Sequence, residues 1–211
     1  MKYLKSRLFY EWILATIGGA LFANTLHIAY LAMQPVGGAE ALRVGSLLLT
    51  AVLAGTLTGF CQWIVLRPYL KKAYGWIVAT ATGKLLTILL TQTLLSILAF
   101  VVSPDDRVSF GLMRFVSALS LSLTVSLLQW LFLRRQVSNA WQWIGFSLLA
   151  DLIVPRLLAF EGLVVPLAET SLLQSFLVVV AWGLLMGAIT GIPIVNFIET
   201  GKDERLSTGN Q

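Results

Sequence analysis

Charge is what this sequence has least of. Only 12% of its 211 residues are Asp, Glu, Lys or Arg, about half the roughly 25% of an ordinary water-soluble domain. Between the charged clusters no room is left for a separate soluble domain. There is one cysteine, Cys61, inside an apolar run, which excludes a disulfide framework and a cysteine metal site and leaves the redox compartment unmarked. There is one histidine, His27, and a lone imidazole without neighbouring carboxylates makes a poor metal site. The chain has no His-Glu-x-x-His, no glycine-rich phosphate loop ending in Lys-Ser/Thr and no Gly-x-Ser-x-Gly turn, so no catalytic, metal or cofactor residues are assigned. The net charge of +5 sits in short loops beside apolar runs, which points to anionic lipid headgroups rather than nucleic acid as the counter-charge.

What the sequence has in abundance is apolar length. Residues are 57% hydrophobic, and six runs reach or approach the roughly 20 helical residues that cross a hydrocarbon core: 10–33, 44–66, 76–102, 111–133, 143–160 and 170–198. Helix is expected throughout, because a backbone in lipid must satisfy its polar groups within each segment. Lys2, Lys5, Arg7, Arg67, Lys71, Lys72, Arg134, Arg135, Lys202 and Arg205 fall on one side, and Glu40, Asp105, Asp106, Glu161 and Glu169 on the other. By the positive-inside rule both termini are cytoplasmic, in a bacterial inner membrane or another internal energy-transducing membrane. The basic start followed by an apolar run has the form of a signal peptide. It is read instead as a retained helix, because Trp12-Ile13 opens it just as Trp76-Ile77 and Trp143-Ile144 open the third and fifth runs.

Internal similarity sharpens the architecture. Gln62-Trp63-Ile64-Val65-Leu66-Arg67 closes the second run, and Gln129-Trp130-Leu131-Phe132-Leu133-Arg134 closes the fourth, with Asn196-Phe197 as a faded third copy. The expected fold is an all-α integral membrane domain over 1–198. Six transmembrane helices form three tandem helical hairpins (about 10–67, 76–134 and 143–198) around a pseudo-threefold axis, and 199–211 form a polar cytoplasmic tail. Two helices per hairpin return the chain to the side it started from, so successive hairpins are parallel, unlike the inverted repeats of many transporters. Small residues at four-residue spacing mark helix-packing seams: Ala51, Gly55 and Gly59; Ala118, Ser122 and Ser126; Gly183, Gly187 and Gly191. The Gln-Trp-x-x-Leu-Arg ending, a short basic loop and a Trp-Ile start together resemble a diffuse group of uncharacterised small bacterial multi-span membrane proteins. The resemblance covers two of the three hairpins and implies no activity.

Lys84 and Asp151 stand out chemically. Each lies eight residues after its opening tryptophan, about 12 Å along the helix at 1.5 Å per residue. Intramembrane charges face the bundle interior and mark substrate or proton paths; alternatively the two form a salt bridge that fixes how the hairpins dock. The first repeat has Ala20 at the matching place. Asn24 and His27, three apart on one face of the first helix, are candidate proton or substrate contacts, with a helix-to-helix hydrogen bond as the plainer reading. Arg114 and Arg156 either snorkel to headgroups or line an anion path with Gln92 and Gln174. Gln62, Gln129 and Asn196 form a candidate polar ring, and Trp12, Trp63, Trp76, Trp130, Trp141 and Trp143 read as interfacial anchors.

Three functions follow. The first is binding or transport of a small solute or proton through a site near Lys84 and Asp151. The second is a non-catalytic structural or assembly subunit, in a larger membrane complex or homo-oligomer. The third is a lipid-modifying enzyme, for which no reaction centre is visible.

Overall fold

The computed structural model describes residues 6–33, 40–101, 107–137, 139–160 and 172–208, with side chains described over 6–33, 42–97, 115–137, 139–158 and 173–200. Six helices follow one another: α1 (Arg7–Ala32), α2 (Glu40–Leu66), α3 (Tyr74–Val101), α4 (Arg107–Leu133), α5 (Gln142–Phe160) and α6 (Leu172–Thr208). Among the described residues there is no strand. Five segments are long and apolar enough to cross a membrane, Arg7–Ala32, Leu42–Leu66, Tyr74–Ile97, Phe115–Leu133 and Leu173–Thr200, and the chain is an all-helical multi-pass membrane bundle. α5 has 19 residues and carries Asp151, Pro155 and Arg156. Lys2, Lys5, Asp105, Asp106, Glu161 and Glu169 lie outside the described residues, as do the side chains of Glu40, Lys202 and Arg205.

Two helix boundaries depart from the apolar pattern. α1 begins at Arg7, where Arg7 forms an ion pair of 2.6 Å with Glu11 one turn later. α6 runs on to Thr208 through the segment expected to be a polar tail. Hydropathy locates the edge of lipid, whereas the helix follows its own hydrogen-bond ladder, which helix formers such as Lys202, Glu204 and Arg205 sustain in water.

Each helix packs on its neighbours in sequence, and α6 returns to α1, so the six form a closed ring. Glycines set the closest approaches. A Cβ on Gly55 would lie 2.8 Å from the Ala81 Cα, and one on Gly59 would lie 2.9 Å from the Ile77 Cα, both on α3. On α6, Gly183 and Gly187 meet the Cα atoms of Ile17 and Ile13 at 2.7 and 2.8 Å, and Gly191 meets the Phe9 ring at 3.0 Å. Within the hairpins, Gly19 meets Thr58 at 3.0 Å and Gly83 meets Val125 at 2.8 Å. Lipid tails offer no hydrophobic drive for association, so this backbone proximity supplies the packing.

The ring is tight at one end only. Leu8, Trp12, Leu66, Trp76, Leu133, Trp143, Val195 and Phe197 belong to one buried apolar cluster beside the basic connections. In the other half of α1 to α4, no described residue is buried beyond Ala20, before Ala54, beyond Thr87 or before Ser120. Only α5 and α6 carry a second cluster there, with Ala150, Val154, Leu158 and Met186.

The tryptophans correct the sequence reading. Trp12, Trp76 and Trp143 are not interfacial anchors but the centre of the tight end, at 0, 0 and 3% exposure. Their rings meet edge to face, at centroid separations of 5.9, 5.9 and 5.1 Å. The ring quadrupole favours this arrangement over face-to-face stacking. Trp141, by contrast, is exposed. Trp63 and Trp130 are half-buried, with the guanidinium groups of Arg67 and Arg134 at 5.5 and 5.1 Å from their ring centroids. That explains the Trp-x-x-Leu-Arg ending: tryptophan and arginine four apart share a face, and the leucine between them (Leu66, Leu133) turns into the core.

The α2–α3 and α4–α5 connections are built alike. Arg67 and Arg134 amides donate to the carbonyls of Trp63 and Trp130, Leu70 and Val137 amides to those of Leu66 and Leu133, and Trp76 and Trp143 amides to those of Ala73 and Ala140. Lys72 and Asn139 occupy the same place in each, with φ of 51° and 57°. Asparagine tolerates that left-handed conformation; lysine does so at greater steric cost.

Candidate functional site: an axial polar chamber

Trp12, Thr16 and Ala20 on α1, Trp76, Thr80 and Lys84 on α3, and Trp143, Ser147 and Asp151 on α5 are spaced four and eight residues apart. Four-residue steps keep side chains on one helix face. Above the tryptophans these rows, with Thr58 and Gln62 of α2, Ser122, Ser126 and Gln129 of α4, and Met186 and Thr190 of α6, line a partly open chamber of about 130 Å³. At roughly 30 Å³ per water, that holds about four waters or one small solute.

Every indole N–H in the floor is engaged. Trp76 donates to the Gln62 Oε1 at 2.9 Å, and Trp143 donates to the Gln129 Oε1 at 3.1 Å. The Gln129 Nε2 donates in turn to the Thr80 Oγ1 at 2.9 Å. Gln62 and Gln129 thus each join the end of one hairpin to the start of the next. Asn196 does not take the third such place: Trp12 donates to the Thr190 Oγ1 at 3.0 Å. The third hairpin ends without a glutamine, and a hydroxyl two turns earlier on α6 meets the indole instead.

Most wall hydroxyls donate to their own helix: Thr16 to the Trp12 carbonyl (2.9 Å), Thr80 to the Trp76 carbonyl (2.8 Å), Thr190 to the Met186 carbonyl (2.7 Å) and Ser126 to the Ser122 carbonyl (2.5 Å). Thr58 donates across the seam to the Gly19 carbonyl at 3.2 Å. Two differ: the buried hydroxyl of Ser147 has no hydrogen-bond partner, and that of Ser122 lies against the Asp151 carboxyl group. Such orphaned groups are uncommon in protein interiors and call for an explanation. On α4, then, Ser122 and Ser126 line the chamber, whereas Gly55, Gly59, Gly183, Gly187 and Gly191 lie in helix seams.

Lys84 and Asp151 both line this chamber. No ion pair joins them, so the two side chains share the chamber without making contact. Ser122 neighbours the Asp151 carboxylate. Pro155, one turn on, has no N–H to give to the Asp151 backbone carbonyl, which therefore lacks its helical donor. The chamber thus presents a lysine amine, an aspartate carboxyl group and the unengaged Ser147 hydroxyl within an apolar surround that includes Leu121, Val125 and Met186.

The remaining candidate residues are not brought to this place. Asn24 is half-buried and His27 exposed, its ring stacked on Tyr30 at 6.2 Å; Ala23, not Asn24, reaches the chamber. Arg156 is exposed, since five residues from Asp151 carry it about 140° around a helix of 3.6 residues per turn. Gln92 is exposed and Gln174 half-buried, neither in the chamber. The side chain of Arg114 lies outside the described residues. Thr16, Thr58, Thr80, Ser147 and Thr190 were not singled out by sequence, although Trp-x-x-x-Thr/Ser in three odd-numbered helices was a visible signal.

Comparison of the chain with family models, with characterised proteins and with solved structures finds no match in any of the three.

Proposed function

We propose that this polytopic membrane protein binds a small polar solute in its axial chamber, with Lys84 and Asp151 as the charged contacts. The observation that carries the reading is that a lysine and an aspartate share one chamber without touching, beside a buried hydroxyl, that of Ser147, which has no partner. Isolated charges at membrane depth cost several kcal/mol on insertion scales. A pair kept to fix hairpin docking would recover that cost by direct contact; these two side chains do not touch. A solute supplies the missing partners.

In the same reading all six helices cross the membrane as three equivalent hairpins, with both termini and the basic connections in the cytoplasm. The tryptophan floor then seals the chamber on the cytoplasmic side, and the loosely packed half faces outward. Passage through the protein requires the floor to part, so transport would alternate between this sealed state and one in which the three indoles separate. The same reading would extend to small bacterial multi-span proteins that share the Gln-Trp-x-x-Leu-Arg endings this chain resembles.

The test compares wild type, Lys84→Ala, Asp151→Ala and the swapped Lys84→Asp/Asp151→Lys protein, each scored for abundance, native mass and thermal stabilisation by amino acids, polyols and small organic ions. The expected result is that all four assemble, wild type is stabilised by at least one solute, and the single variants bind it at least about 10-fold more weakly, the scale of losing one charged hydrogen bond. Singles that fail to assemble, with recovery in the swap and no solute bound by wild type, would show a docking bridge in a structural or assembly subunit and overturn the reading.

A further inference from the structure

We infer that the solute class of this chamber is a small zwitterion, a molecule carrying an ammonium and a carboxylate at once; the inference rests on the binding reading above. Charge balance argues for it. Lys84 and Asp151 together contribute no net charge, and neither has an ion-pair partner among the described residues. A simple anion meets Lys84 but brings a second negative charge beside Asp151. A simple cation does the reverse, and an uncharged polyol answers neither. A zwitterion neutralises both without changing the net charge of a low-dielectric space, where an uncompensated charge is most costly.

Hydrogen-bond inventory points the same way. A carboxylate only accepts, and an ammonium only donates. Lys84 and the orphaned hydroxyl of Ser147 are donors available to the first. The Asp151 carboxylate is the acceptor for the second, and its backbone carbonyl, freed by Pro155, lies in the same residue. Size sets the limit: about 130 Å³ admits a few heavy atoms beyond the two charged groups. Leu121, Val125 and Met186 in the wall favour apolar over polar atoms there.

The test is a binding panel on the full chain in lipid nanodiscs, read by thermal shift and confirmed by calorimetry. Probes are glycine, L-alanine, L-proline, β-alanine and glycine betaine, set against acetate, methylammonium and glycerol. The expected result is binding of at least one zwitterion, with acetate and methylammonium, alone or together, at least about 10-fold weaker. Stronger binding of alanine or proline than betaine would assign the ammonium a hydrogen-bond-donating role at Asp151. Betaine at equal strength would assign it charge alone. Either supports the inference. Ser147→Ala, a small change at a hydroxyl that bonds to no other group, is expected to weaken zwitterion binding while leaving the melting temperature of the empty protein within a few degrees. Binding of acetate, methylammonium or glycerol in preference to every zwitterion overturns the zwitterion inference and leaves the solute reading standing. Binding of none of the eight probes overturns both.

Discussion

Trp76→Ala is expected to destabilise the bundle by about 3–5 kcal/mol, the range for truncating a buried aromatic to alanine. Trp76 is fully buried and packs edge to face on Trp12, Trp143 and Phe132. Its loss also leaves the Gln62 carbonyl oxygen, buried beneath it, without the indole donor. Trp76→Phe separates the two contributions: the ring remains, and only the orphaned acceptor is charged against stability, at about 1–3 kcal/mol. Thermal melting in detergent micelles and protease resistance give the ranking wild type, Trp76→Phe, Trp76→Ala. Trp141→Ala, at an exposed tryptophan, is the control and should melt with wild type. Equal effects of Trp76→Ala and Trp141→Ala would contradict a tryptophan-centred floor.

Gly183→Leu is expected to open the seam where α6 closes the ring on α1. Its Cβ would stand 2.7 Å from the Ile17 Cα, a backbone atom that cannot rotate away. Overpacking of this kind costs about 1–3 kcal/mol, and more where a main chain must move. Gly145→Leu on α5 provides the contrast, because nothing lies within 4 Å of its Cβ position. Leucine there should stabilise slightly, by roughly 0.5–1 kcal/mol, since glycine inside a helix carries an entropy cost. Melting temperatures that move together would show that backbone proximity at Gly183 does not hold the ring closed.

Apolar length and the placement of charge disclosed the helices and their order, because lipid permits few other solutions. The glycine rows at 55–59 and 183–191 were legible for the same reason: four-residue spacing fixes a face before any neighbour is known. The tryptophans were misread. Their position near the ends of apolar runs matches an interfacial belt, and nothing in a single helix reveals that three of them converge. The separation of 14 residues between Gln62 and Trp76, and again between Gln129 and Trp143, held that information, but only a closed ring gives it meaning. Lys84 and Asp151 were visible as expensive residues at equal depth. That they share a chamber without touching depends on side-chain reach across the bundle, which no spacing rule encodes. Asn24, His27 and Arg156 were included on residue type; helical register carries Arg156 away from the chamber, whereas Asn24 and His27 lie one turn beyond Ala20 and Ala23 on α1, past its lining.

The account rests on a polar chamber reached from the side opposite the basic connections, and cysteine labelling tests it most directly. In a Cys61→Ala background, Ser147→Cys places a thiol in the chamber wall and Thr190→Cys places one at the indole floor. A small positively charged methanethiosulfonate reagent applied to sealed right-side-out and inside-out vesicles is expected to modify Ser147→Cys from the outer face only. Lys84→Ala should speed that reaction by removing a like charge, and a bound zwitterion should slow it. No labelling at Ser147→Cys from either face, or labelling from the cytoplasmic face alone, would contradict the chamber as described.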